Sequence, residues 1–175
     1  MNSYIESARE MSEKLAVNVD LNALIVLFSY HHNNTEKIAK AFAKVLDAQI
    51  KTPQQTNPQE LQEYNIIGFG AGIDSGKHYK PLLDLADKLP QVENKPAFIF
   101  STAGITGKKK IAKDHTALRE KLEAKGYKIA DEFQCKGFNT NSFLKYFGGL
   151  NKGRPNEEDL KHAEEFAQNL KRKWR

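Results

Sequence analysis

Ala23-Leu24-Ile25-Val26-Leu27-Phe28 runs straight into Ser29-Tyr30-His31-His32-Asn33-Asn34-Thr35. Six consecutive apolar residues suit a strand covered on both faces, and such strands belong to parallel sheets flanked by helices. After the polar loop, Ile38, Ala41, Phe42, Val45 and Leu46 share one face of a helix. Where a buried strand turns into a helix, free backbone N–H groups and the helix dipole favour an anion such as phosphate. The Asn side chains and the Thr35 hydroxyl add donors, and Lys37 follows closely. A plainer reading makes Thr35 a helix N-cap and Asn33 a turn residue; both stay open on the sequence.

The same alternation continues outward. Ala48 to Lys51 reads as a second strand. A loop over 52–60 follows, with a brief helix near Glu60 to Tyr64. Asn65 to Phe69 is the third strand and Gly70 to His78 a glycine-bearing loop. Leu82, Leu83, Ala86 and Leu89 mark the next helix. Ala97 to Phe100 is the fourth strand, and Ser101-Thr102-Ala103-Gly104 the loop after it. A helix centred on Leu118 and Leu122 ends at Gly126, and Ile129 to Gln134 is a more polar fifth strand. An irregular stretch from Lys136 to Pro155 leads to a last helix. Asn156 is its N-cap, three acids follow, and Leu160, Ala163, Ala167 and Leu170 form its buried face. On the other side, Tyr4, Ile5, Ala8, Met11 and Leu15 predict an amphipathic helix over 3–16. Residues 1–20 then form an N-terminal extension to a domain over 21–175.

Strands one, three and four are apolar throughout and belong in the centre; two and five are short or polar and belong at the edges. Right-handed crossovers then give a three-layer α/β fold with a five-stranded parallel sheet of order 2-1-3-4-5. Its ligand crevice lies outside the carboxyl ends of the strands.

Composition narrows the class. The 175 residues suffice for one domain with its own core, at 39% hydrophobic and 28% charged. No apolar run is long enough to span a membrane, residues 1–20 lack a signal-peptide pattern, and a cytoplasmic location is the default expectation. The single cysteine, Cys135, excludes an intramolecular disulfide and reads as structural. Lys and Arg outnumber Asp and Glu by 27 to 22, with clusters at Lys108-Lys109-Lys110 and Lys171-Arg172-Lys173. No aromatic-interleaved basic motif accompanies them, so no nucleic-acid partner is expected.

Three loops meet at the crevice. In the first, Ser29, His31, His32, Asn33, Asn34 and Thr35 are candidate ligand residues. Adjacent histidines do not make a metal site, and imidazole donors facing a phosphate are the better reading of His31 and His32. In the second, Gly68-Phe69-Gly70-Ala71-Gly72 superficially matches a dinucleotide fingerprint, but it follows the third strand and no helix follows it. Glycines there let the backbone approach a flat ligand, giving Gly70, Ala71, Gly72, Ile73, Asp74, Ser75 and Gly76 as candidates. Tyr79 is either an aromatic stacking residue or a helix-start residue packed on the loop. The third loop, Ser101, Thr102, Ala103 and Gly104, suits hydrogen bonds to a planar heterocycle.

These motifs resemble the flavodoxin family over roughly residues 22–170. His31-His32-Asn33-Asn34-Thr35 is similar to the family's phosphate loop, which ends in Gly-Asn-Thr; Asn33 stands at the glycine and the histidines replace small hydroxyl residues. Phe138-Asn139-Thr140, Gly148-Gly149 and Lys152-Gly153-Arg154-Pro155-Asn156 resemble the closing segment of short stand-alone members. The resemblance implies bound FMN, with phosphate on loop one and the ring between loops two and three. It implies an electron-transfer protein whose partner is a redox protein or a small-molecule acceptor. The alternative is an FMN-dependent oxidoreductase acting on a quinone, protoporphyrinogen or NAD(P)H: the Gly70-to-Tyr79 loop is similar to that of flavodoxin-type protoporphyrinogen oxidases, and the 136–155 segment could form a substrate rim. Two departures stand out. Flavodoxin shuttles are usually strongly acidic and this chain is basic, and its only tryptophan, Trp174, lies far from the flavin loops.

Overall fold

A computed structural model describes residues 21–174; the helix expected over 3–16 lies outside the described residues. The chain runs β1 (Ala23–Phe28), α1 (Asn34–Leu46), β2 (Gln49–Lys51), a 3-10 turn (Pro58–Glu63), β3 (Ile66–Asp74), β4 (Lys77–His78) and α2 (Lys80–Lys88). It continues through β5 (Lys95–Ala103), α3 (Lys108–Ala124), β6 (Tyr127–Lys136), a second 3-10 turn (Ser142–Phe147) and α4 (Glu157–Trp174). Five strands form a parallel sheet in the order β2-β1-β3-β5-β6. Counting parallel strands only, this is the expected 2-1-3-4-5. The two-residue β4 is additional and folds back antiparallel on β3 through Ile73↔His78 and Asp74↔Lys77.

Helices cover both faces. On one, Ile38, Phe42 and Leu46 of α1 pack with Ala163, Ala167 and Leu170 of α4. On the other, Leu82, Leu85 and Ala86 of α2 pack with Leu118 and Leu122 of α3. The start of α4 is capped reciprocally, as Asn156 predicts. The Asp159 amide donates to Asn156 Oδ1 at 3.1 Å, and the Asn156 amide donates to Asp159 Oδ2 at 2.9 Å.

Two segments expected as loops are strand. β3 continues through Gly70 to Asp74 and β5 through Ser101 to Ala103, with pairing maintained as far as Gly72↔Thr102 and Ala103↔Lys136. The glycines explain the first case. Gly68 and Gly70 lie beside Phe98 and Phe100 on the neighbouring strand. A Cβ on Gly68 would sit 2.3 Å from the Phe98 ring, and one on Gly70 would sit 2.1 Å from the Phe100 ring. The missing side chains make room for the protein's own aromatics, a known way of filling over glycine in a sheet. Phe42 then meets both rings edge-on, with centroids at 5.6 and 5.1 Å.

Gly70→Ala overpacks this layer and should cost about 1–3 kcal/mol in denaturant unfolding. Adding Phe100→Leu should cost less in the Gly70→Ala background than in the wild type, a coupling that a double-mutant cycle measures.

Candidate functional site

Strand ends β1, β3 and β5 open into a cleft with about 400 Å3 of empty space, its open side included. Tyr30, His31, Asn34 and Thr35 line it from the first loop, Gly72, Ile73 and Tyr79 from the β3–β4 hairpin, and Thr102, Ala103 and Gly104 from β5. A fourth wall comes from Gly137, Phe138, Asn139 and Asn141. Reading the sequence did not single out Tyr30 or this fourth wall as site residues. The signal was present for Phe138-Asn139-Thr140, which resembles the family's closing segment.

The first loop curls because His32 and Asn33 both take left-handed backbone conformations, φ 53° and 51°. Asn and His are the side chains that tolerate this region best after glycine, so Asn33 can occupy a glycine-type position. Asn33 is the N-cap of α1, but no side chain caps that terminus. The Asn34 amide donates to the His31 carbonyl at 3.3 Å, and the other first-turn N–H groups stand uncapped at the positive end of the helix dipole. Thr35 is not the cap: its Oγ1 lies 2.8 Å from Thr102 Oγ1, tying α1 to β5 at the cleft floor. Asn34 is buried; its Nδ2 donates to the Phe138 carbonyl at 2.8 Å, while its Oδ1 has no partner among the described residues. Ser29 Oγ is likewise buried and unpartnered. His32 leaves the cleft floor for the fourth wall, packing tilted against Phe138 with ring centroids at 4.5 Å and meeting Thr140 Oγ1 at 2.9 Å.

Tyr79 has two positions in the structure. It occupies the N-cap position of α2 and it lines the cleft. Its ring packs over Gly72, where a Cβ would lie 2.8 Å from Cε2, and beside Tyr30 at 6.3 Å. Burial raises its phenol pKa, and nearby Asp74 adds to the rise, so the hydroxyl stays protonated. Asp74, Ser75 and Gly76 form the exposed tip of the hairpin rather than the cleft lining. Gly70 lies against Phe100, and Ala71 is buried in the core.

Ser101 also points away from the cleft, into a buried chain of polar groups under it. Its Oγ lies 2.7 Å from His115 Nε2, and His115 Nδ1 lies 2.9 Å from Glu132 Oε2. Arg119 holds the same carboxylate through two bonds, at 2.5 and 2.9 Å. The order hydroxyl, imidazole, carboxylate is that of a hydrolytic triad, yet Ser101 and His115 are both 0% exposed. No substrate carbonyl reaches them, and the chain ties β5, α3 and β6 together. Burial alone would push the Glu132 carboxyl up; hydrogen bonds from His115 and Arg119 outweigh it and hold the pKa at about 2.

His78 sits 4.8 Å from His115, centroid to centroid, and secures the hairpin from below. Its Nε2–H donates to the Phe100 carbonyl at 3.1 Å, leaving Nδ1 a buried acceptor without a partner. Burial, helped by neighbouring His115, pulls its pKa down to about 3. Cys135 is buried, and burial pushes its thiol up to about 12, which keeps it out of thiolate chemistry.

A family model described as a flavodoxin domain matches residues 25–169. The chain belongs to the flavodoxin family. The uncharacterized protein MJ0298 of Methanocaldococcus jannaschii is 48% identical over 150 residues, covering 86% of this chain and 98% of that one. Among solved structures, oxidised Flavodoxin 2 from Bacillus cereus superposes with a TM-score of 0.66 at 20% identity, covering 87% of this chain and 99% of that one. A short-chain flavodoxin associated with a non-canonical PDU bacterial microcompartment gives 0.65 at 16% identity, covering 88% and 99%. Among the described residues, no helix is long and apolar enough to cross a membrane.

His78 is neutral when folded and titrates near pH 6.5 when unfolded. The unfolded chain therefore binds the extra proton first. The stability this group contributes is complete above pH 6.5 and is lost as pH falls toward 3. Glu132 acts in the same sense lower down, from 4.5 toward 2. His78→Gln keeps a donor for the Phe100 carbonyl and cannot titrate. Between about pH 7 and about pH 5 the wild type should lose ~2 kcal/mol more unfolding free energy than this variant. Denaturant titrations at both pH values measure the difference.

Proposed function

We propose that this protein binds FMN in the cleft and carries electrons to a partner protein or a small-molecule acceptor. The observation that carries the reading is the uncapped amino end of α1 at the cleft, where the buried Asn34 Oδ1 has no partner among the described residues, with Ser29 Oγ a second buried, unpartnered atom in the same loop. The residues fit the group. Free helix N–H groups, the Ser29 hydroxyl and His31 are donors suited to a phosphate. Asn34 Oδ1 is an acceptor suited to a hydroxyl of the polyol chain. Tyr79, Ile73 and Tyr30 offer flat apolar surface for the ring, and the Ala103–Gly104 backbone offers hydrogen bonds to its polar edge.

Bound FMN supplies the electron-transfer chemistry. The chain's own residues do the rest. The Thr35–Thr102 bond fixes the helix terminus against the sheet, so donors are preorganised for the phosphate. Tyr79 stays neutral and shields one side of the cleft from water. The buried Ser101–His115–Glu132 chain holds β5 rigid beneath the cleft floor. The FMN-dependent oxidoreductase reading draws on the same cleft. Purified protein reduced by NAD(P)H at catalytic rates without a partner would favour that reading over the carrier.

Two substitutions divide the site by function. Thr35→Val deletes a hydroxyl that, accepting from Thr102, keeps its own proton for the phosphate, and a hydrogen bond to a charged group is worth roughly 1.5–3 kcal/mol. It should weaken FMN about 10- to 150-fold and leave riboflavin nearly unchanged. Gly72→Ala displaces the Tyr79 ring instead and should weaken both flavins alike. Fluorescence titration of each protein with each flavin decides it; equal loss of both flavins in Thr35→Val would make Thr35 purely structural.

A further inference from the structure

We propose that the face around the cleft is the docking surface for an acidic electron-carrier protein, with the aromatic turn Ser142–Phe147 seated in an apolar hollow of that partner. The proposal rests on the carrier reading above, because it takes electrons to leave through this face.

Two independent patterns coincide there. The first is apolar exposure. The large hydrophobic residues that are exposed among the described residues are Tyr30, Ile105, Phe143, Tyr146, Phe147 and Leu150. All six lie in the loops at the carboxyl end of the sheet. Phe143, Tyr146 and Phe147 are 67%, 76% and 81% exposed, on one six-residue 3-10 helix. Aromatic side chains concentrated in this way mark a binding surface, because isolated exposed residues are common and clustered ones are not.

The second pattern is charge. From Lys136 to Asn156 the chain has no Asp or Glu, and neither has the stretch from Ser101 to Lys113 or that from Phe28 to Thr35. Lys108, Lys109, Lys113, Lys136, Lys145 and Lys152 are exposed, and none forms an ion pair among the described residues. Asp74 is the single carboxylate on the rim formed by these loops and the hairpin. An apolar centre ringed by unpaired cations fits a partner with an apolar hollow ringed by carboxylates, and such complementarity steers encounter.

The aromatic turn is held in place. Asn139 and Leu150 exchange two backbone bonds, at 2.9 and 2.7 Å, closing the segment into a loop. Asn151 Nδ2 donates to the Gly104 carbonyl at 2.7 Å, and Asn34 Nδ2 to that of Phe138. The turn therefore sits on the cleft wall itself. A membrane surface is the less favoured occupant, because a single 3-10 turn gives a short apolar face where membrane-surface binding uses an extended amphipathic helix.

Calorimetric titration of the flavin-loaded protein tests the proposal, with a [2Fe–2S] ferredoxin of acidic surface as probe and basic cytochrome c as its counterpart. The ferredoxin should bind, weakening about tenfold or more as salt rises, and cytochrome c should not. The triple variant Lys136→Glu, Lys145→Glu, Lys152→Glu should remove most of the binding and its salt dependence. Phe143→Ser with Phe147→Ser should weaken binding about tenfold and keep the salt dependence. None of these five side chains lines the cleft, so both variants should keep wild-type thermal unfolding and flavin affinity. Ferredoxin binding that is absent, indifferent to salt or indifferent to charge reversal would overturn the proposal. So would preference for cytochrome c, or tighter binding to phosphatidylglycerol vesicles than to ferredoxin. Calorimetry needs no flavin. A chain that fails to take up FMN yet binds ferredoxin would refute the cofactor reading and leave the docking surface standing; normal FMN uptake without ferredoxin binding would do the reverse.

Discussion

Phe98 and Phe100 lie over the bare backbone of Gly68 and Gly70, and the rest of the molecule is set by that contact. The rings fill space that side chains on β3 would otherwise occupy, so that face of the sheet presents a flat aromatic layer. Phe42 of α1 stands on this layer, and Phe133 and Phe166 close around it at 5.4 and 5.5 Å. Roughly two helical turns before Phe42 comes Thr35, and two residues after Phe100 comes Thr102. The hydroxyl pair at the cleft floor is therefore aligned by aromatic packing deep in the core. The helix terminus that the site depends on is placed by hydrophobic contacts, with the polar contact finishing the alignment.

The opposite face holds its end of the strands by different means. There Ser101, His115, Glu132 and Arg119 form a satisfied polar chain, while His78 carries a nitrogen without a partner. A buried network of this kind confers directional rigidity on the groups it joins, and it is sensitive to loss of any one partner. The hairpin over His78 has the acid-labile anchor, whereas the first loop is anchored by Asn34 on the Phe138 carbonyl and by Thr35 on the Thr102 hydroxyl.

Much of this was legible in the residues. Continuous apolar runs gave away the central strands, and short or polar ones the edges, because burial on both faces leaves no room for alternation. Asn156 and the acids behind it marked the last helix. The lengths of β3 and β5 were hidden, since Gly70-Ala71-Gly72 and Ser101-Thr102-Ala103 have weak strand propensity and take their conformation from their neighbours. Ser101 was misplaced for a related reason: strand alternation turns it toward α3 while Thr102 faces α1, and a loop reading has no alternation. The fourth wall was anticipated only as a substrate rim within 136–155 and not residue by residue, because its residues meet the cleft through contacts that span more than a hundred positions, such as Asn34 with Phe138. Asn33 read as a departure from the family and proved a tolerated substitute, because its backbone is left-handed.

The segment between β6 and α4 reaches the domain through a handful of backbone carbonyls, the side-chain amides of Asn34 and Asn151, and His32 on Thr140 and Phe138, with its own ends stitched to each other. No strand of the sheet crosses it, and its aromatic residues add nothing to either core. Its tip, Ser142–Phe147, can change sequence, length or charge while the floor of the cleft stays as it is. The fold thus keeps the strand-end floor of the cleft independent of the exposed aromatic turn beside it. Exchanging this turn between relatives would change that exposed surface without rebuilding the domain.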